Sequence, residues 1–85
     1  MAETGKDTAI RLAKDLYERK RREGIDLSSG PCLSEEVMDD WCVDIVHTPR
    51  QAIDNRPENQ CKLYRTGKVH HFVELDLDGN LVRFV

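Results

Sequence analysis

The chain predicts an α+β domain of two layers, in which an antiparallel sheet of at least three strands carries a C-terminal β-hairpin and packs against two helices. Three stretches predict it. Ala9, Leu12, Ala13, Leu16 and Tyr17 recur at three- and four-residue spacing, the period of a helix with one face to bury. Trp41, Val43 and Ile45 alternate with Cys42, Asp44 and Val46, the period of a strand with one apolar and one mixed face. Two β-rich runs, Val69 to Leu77 and Asn80 to Val85, flank Asp78-Gly79, the preferred pair of a tight type I′ hairpin loop.

In chain order, the first helix spans about residues 7–23. Thr4 or Asp7 caps it, the run Arg19-Lys20-Arg21-Arg22 opposes the negative end of its dipole, and Gly24 stops it. Ser28-Ser29-Gly30-Pro31 is a loop signal that leads Cys32 and Leu33 into a short extended piece. Ser34 to Met38 reads as one helical turn capped by Ser34. The Trp41 strand ends at Thr48-Pro49, because proline offers no N–H to a ladder. A second helix begins at Asn55, with Pro57 in its first turn and Glu58 closing a capping box, and ends at Gly67. In the hairpin, pairing Leu77 with Asn80 sets Val73 opposite Phe84, Leu75 opposite Val82, and Glu74 opposite Arg83. The place of the Trp41 strand in the sheet is left open.

Composition narrows the function classes. The 85 residues suffice for one domain, 1–85, with residues 31–85 as its core. Hydrophobic residues at 39% and charged residues at 34% suit a folded chain rather than a disordered one. No apolar run approaches a membrane span and none marks a signal peptide, so a cytoplasmic protein is expected. The three cysteines are an odd number without an export signal, which makes free thiols the expectation. A net charge of −3 argues against nucleic acid as a bulk electrostatic partner. The basic end of the first helix is the one local patch that would serve such a partner.

Polar residues crowd the connection after the Trp41 strand. His47, Arg50, Asn55, Asn59, Gln60 and Cys61, with His71 from the hairpin, are the candidate ligand- or partner-binding residues. Binding groups concentrate on loops held by a rigid scaffold, and Arg50 and Arg56 beside a helix start suit a small anionic ligand. Cys32, Cys42, Cys61, His47 and His71 are ligand types for zinc or iron, yet no Cys-x-x-Cys and no His-x₃-His spacing is present. His70 and His71, adjacent in a strand, point to opposite faces unless a bulge intervenes. Cys61, in the second turn of the second helix, would have a lowered thiol pKa, but no nucleophile signature surrounds it. A non-catalytic binding or interaction module, monomeric or weakly dimeric, is therefore the favoured reading over an enzyme. A Cys/His metal domain and a nucleic-acid module are the alternatives, and no cofactor is specified.

Pro31-Cys32-Leu33-Ser34, Asp44-Ile45-Val46-His47, Pro57-Glu58-Asn59-Gln60-Cys61 and His71-Phe72-Val73-Glu74-Leu75-Asp76 together resemble a family of small, uncharacterised single-domain proteins of archaea and some bacteria. The resemblance covers about residues 31–85. It implies a compact α+β fold and no known activity, and makes His47, Asn59, Gln60, Cys61 and His71 the matching polar positions.

Overall fold

The computed structural model describes residues 4–85. It shows an α+β fold: helix α1 (Gly5–Arg22), then strands β1 (Cys32–Met38) and β2 (Trp41–Ile45), a crossover with one short helix α2 (Lys62–Arg65), and strands β3 (His71–Leu75) and β4 (Leu81–Phe84). The four strands lie in the order β1-β2-β3-β4. Both outer pairs are antiparallel, but β2 and β3 run parallel in the register Trp41 with His71, Cys42 with Phe72, Val43 with Val73, Asp44 with Glu74 and Ile45 with Leu75. The sheet is thus mixed rather than wholly antiparallel. A parallel pair needs a crossover of a dozen or more residues, and residues 46–70 are that crossover.

Thr4 caps α1, its Oγ1 accepting from the Asp7 N–H at 3.1 Å. The helix lays Ala9, Ala13 and Tyr17 on Trp41, Val43, Ile45, Val73 and Leu75, all buried, to make the main core. Each aliphatic side chain fully buried there contributes roughly 1.5–3 kcal/mol. Tyr17 also reaches the hairpin turn, where its hydroxyl donates to the Leu77 carbonyl at 2.7 Å. Gly79, at φ +84°, lies so close under the ring that a β-carbon there would fall 2.5 Å from it. The opposite face of the sheet carries a smaller cluster of Cys42, Cys61, Val69 and Phe72, closed over by the crossover.

Several local expectations give way to tertiary pairing. Residues 34–38 are not a helical turn but part of β1, because Asp39-Asp40, with Asp40 at φ +68°, folds β1 back on β2 as a hairpin. The helix from Asn55 to Gly67 is not formed. In its place stand 3₁₀ turns at Ala52–Asn55 and Pro57–Asn59, and the single turn of α2. The expected cap is engaged elsewhere, Asn55 Oδ1 accepting from Arg50 Nε at 2.8 Å, and the neighbouring Asn59 Nδ2 donates to the Ile53 carbonyl at 3.0 Å. Gly67, at φ +79°, does follow the helical turn.

The C-terminal hairpin keeps Val73 opposite Phe84 and Glu74 opposite Arg83, but Leu75 pairs with Leu81 rather than Val82. The reason is Asp76, whose Oδ1 accepts from the N–H groups of Asp78 and Asn80, both at 2.9 Å. Its own N–H donates to the Asn80 carbonyl, and only Gly79 of the loop takes a positive φ. That makes a three-residue loop with a left-handed glycine rather than a type I′ pair, and β4 absorbs the extra residue as a bulge.

The thiol expectation is also overturned. Cys32 and Cys61 form a disulfide, their Cα atoms 4.9 Å apart, and only Cys42 is free. The two cysteines are 29 residues apart, so no local spacing announces the bond. The crossover, which returns the chain over the second face, is what brings them together.

Candidate functional site

Alternation along the parallel pair turns Cys42 and Asp44 of β2 and Phe72 and Glu74 of β3 toward the second face. With Arg50, Gln60, Cys61, Tyr64 and Arg65 from the crossover and Arg83 from β4, they line a cavity of about 340 Å³. That is near the lower end of small-molecule sites. The walls are half apolar: Tyr64 meets Phe72 edge-on with ring centroids 4.9 Å apart, and the Arg83 guanidinium lies 5.2 Å over the Phe72 ring.

The floor holds two buried carboxyl groups with opposite fates. Glu74 is ion-paired on both oxygens, Oε1 at 2.6 Å from Arg83 Nε and Oε2 at 3.1 Å from Arg50 Nη1. Arg50 is itself fixed by Asn55 Oδ1 and by the Asp54 carbonyl. Asp44 has no such partner, and its Oδ1 is buried without a hydrogen bond. Burial, and then the negative charge of Glu74, push its carboxyl up to about 8. At neutral pH Asp44 is therefore mostly a neutral acid, able to donate. Cys42 is pushed up to about 12, first by burial and then by Asp44, which leaves a protonated, unreactive thiol. Arg65 is the counterpart at the rim: among the described residues its guanidinium has no hydrogen bond or ion pair.

Of the sequence candidates, Arg50, Gln60 and Cys61 line this cavity. Asn55 supports Arg50, and its carbonyl accepts from Gln60 Nε2 at 3.2 Å. His47 and Asn59 hold the loop itself. Asp54, fully buried, takes His47 Nδ1 on Oδ1 at 2.8 Å and the N–H groups of His47 and Gln51 on Oδ2 at 3.0 and 2.9 Å. Burial alone would raise its pKa, but these donors outweigh it and hold the carboxyl below its ordinary range. Gly30 at φ +69° makes room: a β-carbon there would lie 2.3 Å from Asp54 Oδ1.

His71 is away from the cavity, stacked on Trp41 at 4.6 Å between ring centroids. Both adjacent histidines nevertheless meet one residue. His70 Nδ1 is 2.8 Å from Asp40 Oδ1 and His71 Nε2 is 3.7 Å from Asp40 Oδ2, since His70 precedes β3 and escapes its alternation. The His70 ring and N–H hold the Asp40 carboxyl below its ordinary range. The five metal-ligand candidates do not assemble as one set. His47 and His71 lie elsewhere and Cys42, though packed in one cluster with Cys61, is outside the ligand group, whereas Cys32 and Cys61 converge with Glu35, their ligand atoms all within 4.8 Å of one another. The basic run Arg19 to Arg22 forms the last turn of α1, with Lys20 paired to Glu23. Among the described residues, no helix is long and apolar enough to cross a membrane.

Asp44, Tyr64, Arg65, Phe72, Glu74 and Arg83 escaped the sequence reading as site residues. The signals were a charged residue on the mixed face of a buried strand and the Glu74–Arg83 cross-strand pair, and they needed the parallel register to be joined. Comparison of the chain with protein-family models, with curated proteins and with solved structures finds no match.

Proposed function

We propose that the protein is a small non-catalytic binding module whose second-face cavity takes a small anionic ligand with an apolar body. The observation that carries the reading is the buried, unpartnered Asp44 Oδ1 on the same cavity as the exposed Arg65 guanidinium, which makes no bond to the described residues. A buried polar atom without a partner costs free energy, and a carboxylate or phosphate ester would give Asp44 that partner while pairing with the exposed Arg65 cation. Its anionic end would pair with Arg65, while a second oxygen would accept from the neutral Asp44 carboxyl. The charge balance supports an anion, since Arg50, Arg65 and Arg83 face one ionised group, Glu74. Phe72 and Tyr64 offer the body of such a ligand an aromatic wall. The Cys42 thiol, which burial keeps protonated, offers that cavity no thiolate nucleophile.

The test is a thermal-shift and calorimetric screen with aromatic carboxylates and phosphate monoesters. A ligand at a hundred times its Kd stabilises by about 2.7 kcal/mol, a rise of roughly 10–20 °C in a domain of this size. Arg65→Ala should abolish the shift and Asp44→Ala should weaken it. An anion that stabilises Arg65→Ala as well as the native chain sinks the reading, and so does a screen in which no anion binds.

A further inference from the structure

The Cys32–Cys61 bond lies where a third ligand-type group is already in position. Cys32 is half-buried on β1, an edge strand of the sheet, and Cys61 is buried immediately before α2. Glu35 stands beside them, its Oε1 accepting the Leu63 N–H at 2.9 Å, which holds one carboxylate oxygen and leaves Oε2 open. The three ligand atoms fall within 4.8 Å of one another. In a tetrahedral zinc site with Zn–S near 2.3 Å, two sulfurs stand roughly 3.8 Å apart, so a small rotation of each reduced side chain suffices.

We infer that Cys32, Cys61 and Glu35 form a redox-alternating site, a disulfide when oxidised and a two-thiolate, one-carboxylate site for a thiophilic divalent cation such as zinc when reduced. A dithiol reductant attacks the more accessible Cys32 sulfur and passes through a mixed disulfide. It ends as its own disulfide, having delivered two electrons and two protons that leave Cys32 and Cys61 as thiols. The Val43 carbonyl, 3.3 Å from Cys61 Sγ and 3.5 Å from Cys32 Sγ, and the Ser34 carbonyl, 3.7 Å from Cys61 Sγ, are placed to accept hydrogen bonds from those thiols. Zinc binding then releases both protons. Glu35 supplies the third ligand with the Leu63 N–H orienting it, and water takes the fourth position. Disulfide and metal exclude each other because both use the same two sulfurs.

The experiment uses the full chain, reduced anaerobically with a phosphine and titrated with Co²⁺ and then Zn²⁺. The expected result is one Co²⁺ per chain with thiolate-to-cobalt charge-transfer absorption, displaced by zinc, and none in the oxidised chain. Below the thiol pKa, affinity should rise about 100-fold per pH unit, as release of two protons requires. Cys32→Ser and Cys61→Ser should lose the absorption and Cys42→Ser should keep it. Glu35→Gln should weaken binding tenfold or more. Binding by the oxidised chain, loss of the band in Cys42→Ser alone, native affinity in Glu35→Gln, or no stoichiometric binding by reduced protein would each overturn the inference. Should the reduced chain unfold, recovery of its circular dichroism at one equivalent of zinc supports the site. Failure to recover refutes it.

Discussion

Asp44 and Glu74 are partners across the parallel β2–β3 pair, side by side on one face, and only Glu74 receives arginines. The asymmetry bears on Asp44: buried beside the Glu74 charge and without an arginine of its own, its carboxyl is pushed up to about 8. The consequence for stability follows from proton linkage. Asp44 in the unfolded chain releases its proton near the ordinary carboxylate value, while the folded chain retains it. Stability therefore falls as pH rises from about 4 to about 8, by up to about 1.4 kcal/mol per pH unit. Asp44→Asn removes this slope. Urea unfolding of both proteins at pH 5, 7 and 9 should give curves that diverge in favour of the variant as pH rises. Parallel curves would show that Asp44 is ionised in the folded chain.

Glu74→Gln should act on two neighbours at once. Arg50 and Arg83 lose their carboxylate, at a cost of about 2 kcal/mol given that both cations are partly solvated. Asp44 loses the like charge that helps raise its pKa. Carbon-13 NMR of labelled aspartate should show the Asp44 titration moving to lower pH in the variant. An unmoved titration would show that the Glu74 charge plays no part and that burial dominates.

Asp54 is the keystone of the loop that carries Arg50. Asp54→Ala strands the ring and backbone donors of His47 and the N–H of Gln51, and losing three bonds from these part-buried donors to a buried carboxylate costs about 3 kcal/mol in total. Because the folded-state pKa is depressed, this contribution is present above the ordinary carboxylate range and is lost as pH falls through the folded value. Urea midpoints at pH 6 and pH 3 should therefore differ less between native and Asp54→Ala proteins at the lower pH. A gap of the same size at both would mean that the bonds persist with a protonated carboxyl.

How far these relations can be read from sequence depends on their range. The α1 face, the Trp41 alternation, and the Val73–Phe84 and Glu74–Arg83 pairs are periodic or local, and the residues state them directly. The excess of polar groups between His47 and Cys61 marks a connection with unusual hydrogen-bonding capacity, though not that it is a parallel crossover; Arg50, Gln60 and Cys61 from it line the cavity. What stayed hidden rests on pairs distant in sequence. Asp54 hydrogen-bonds backward to His47, so an apparent binding loop is in part a self-braced one. The Glu35 side chain reaches the Leu63 N–H across the fold, and propensity at Ser34 to Met38 and at Asn55 to Gly67 yields to strand pairing and to side-chain bonds. Asp44 was legible as a charge in a buried strand, but its consequence required Glu74 beside it.

The covalent tie between β1 and the crossover makes the last prediction. Closing a loop with a sequence separation of 29 stabilises by about 3.5 kcal/mol in the chain-entropy account. The double variant Cys32→Ser, Cys61→Ser should therefore melt roughly 15–25 °C lower. The loss should also be uneven in native-state hydrogen exchange. The Lys68 and Val69 amides, which close the α2 turn onto the Leu63 carbonyl, depend on the crossover staying over Cys42 and Phe72. Opening there is local, so their protection should collapse by more than the global loss accounts for. The Val46 amide, bonded to the Leu75 carbonyl beside the main core, should fall only in step with global stability. Equal losses at both places would mean that the crossover is held by packing alone and that the disulfide acts only on the unfolded chain.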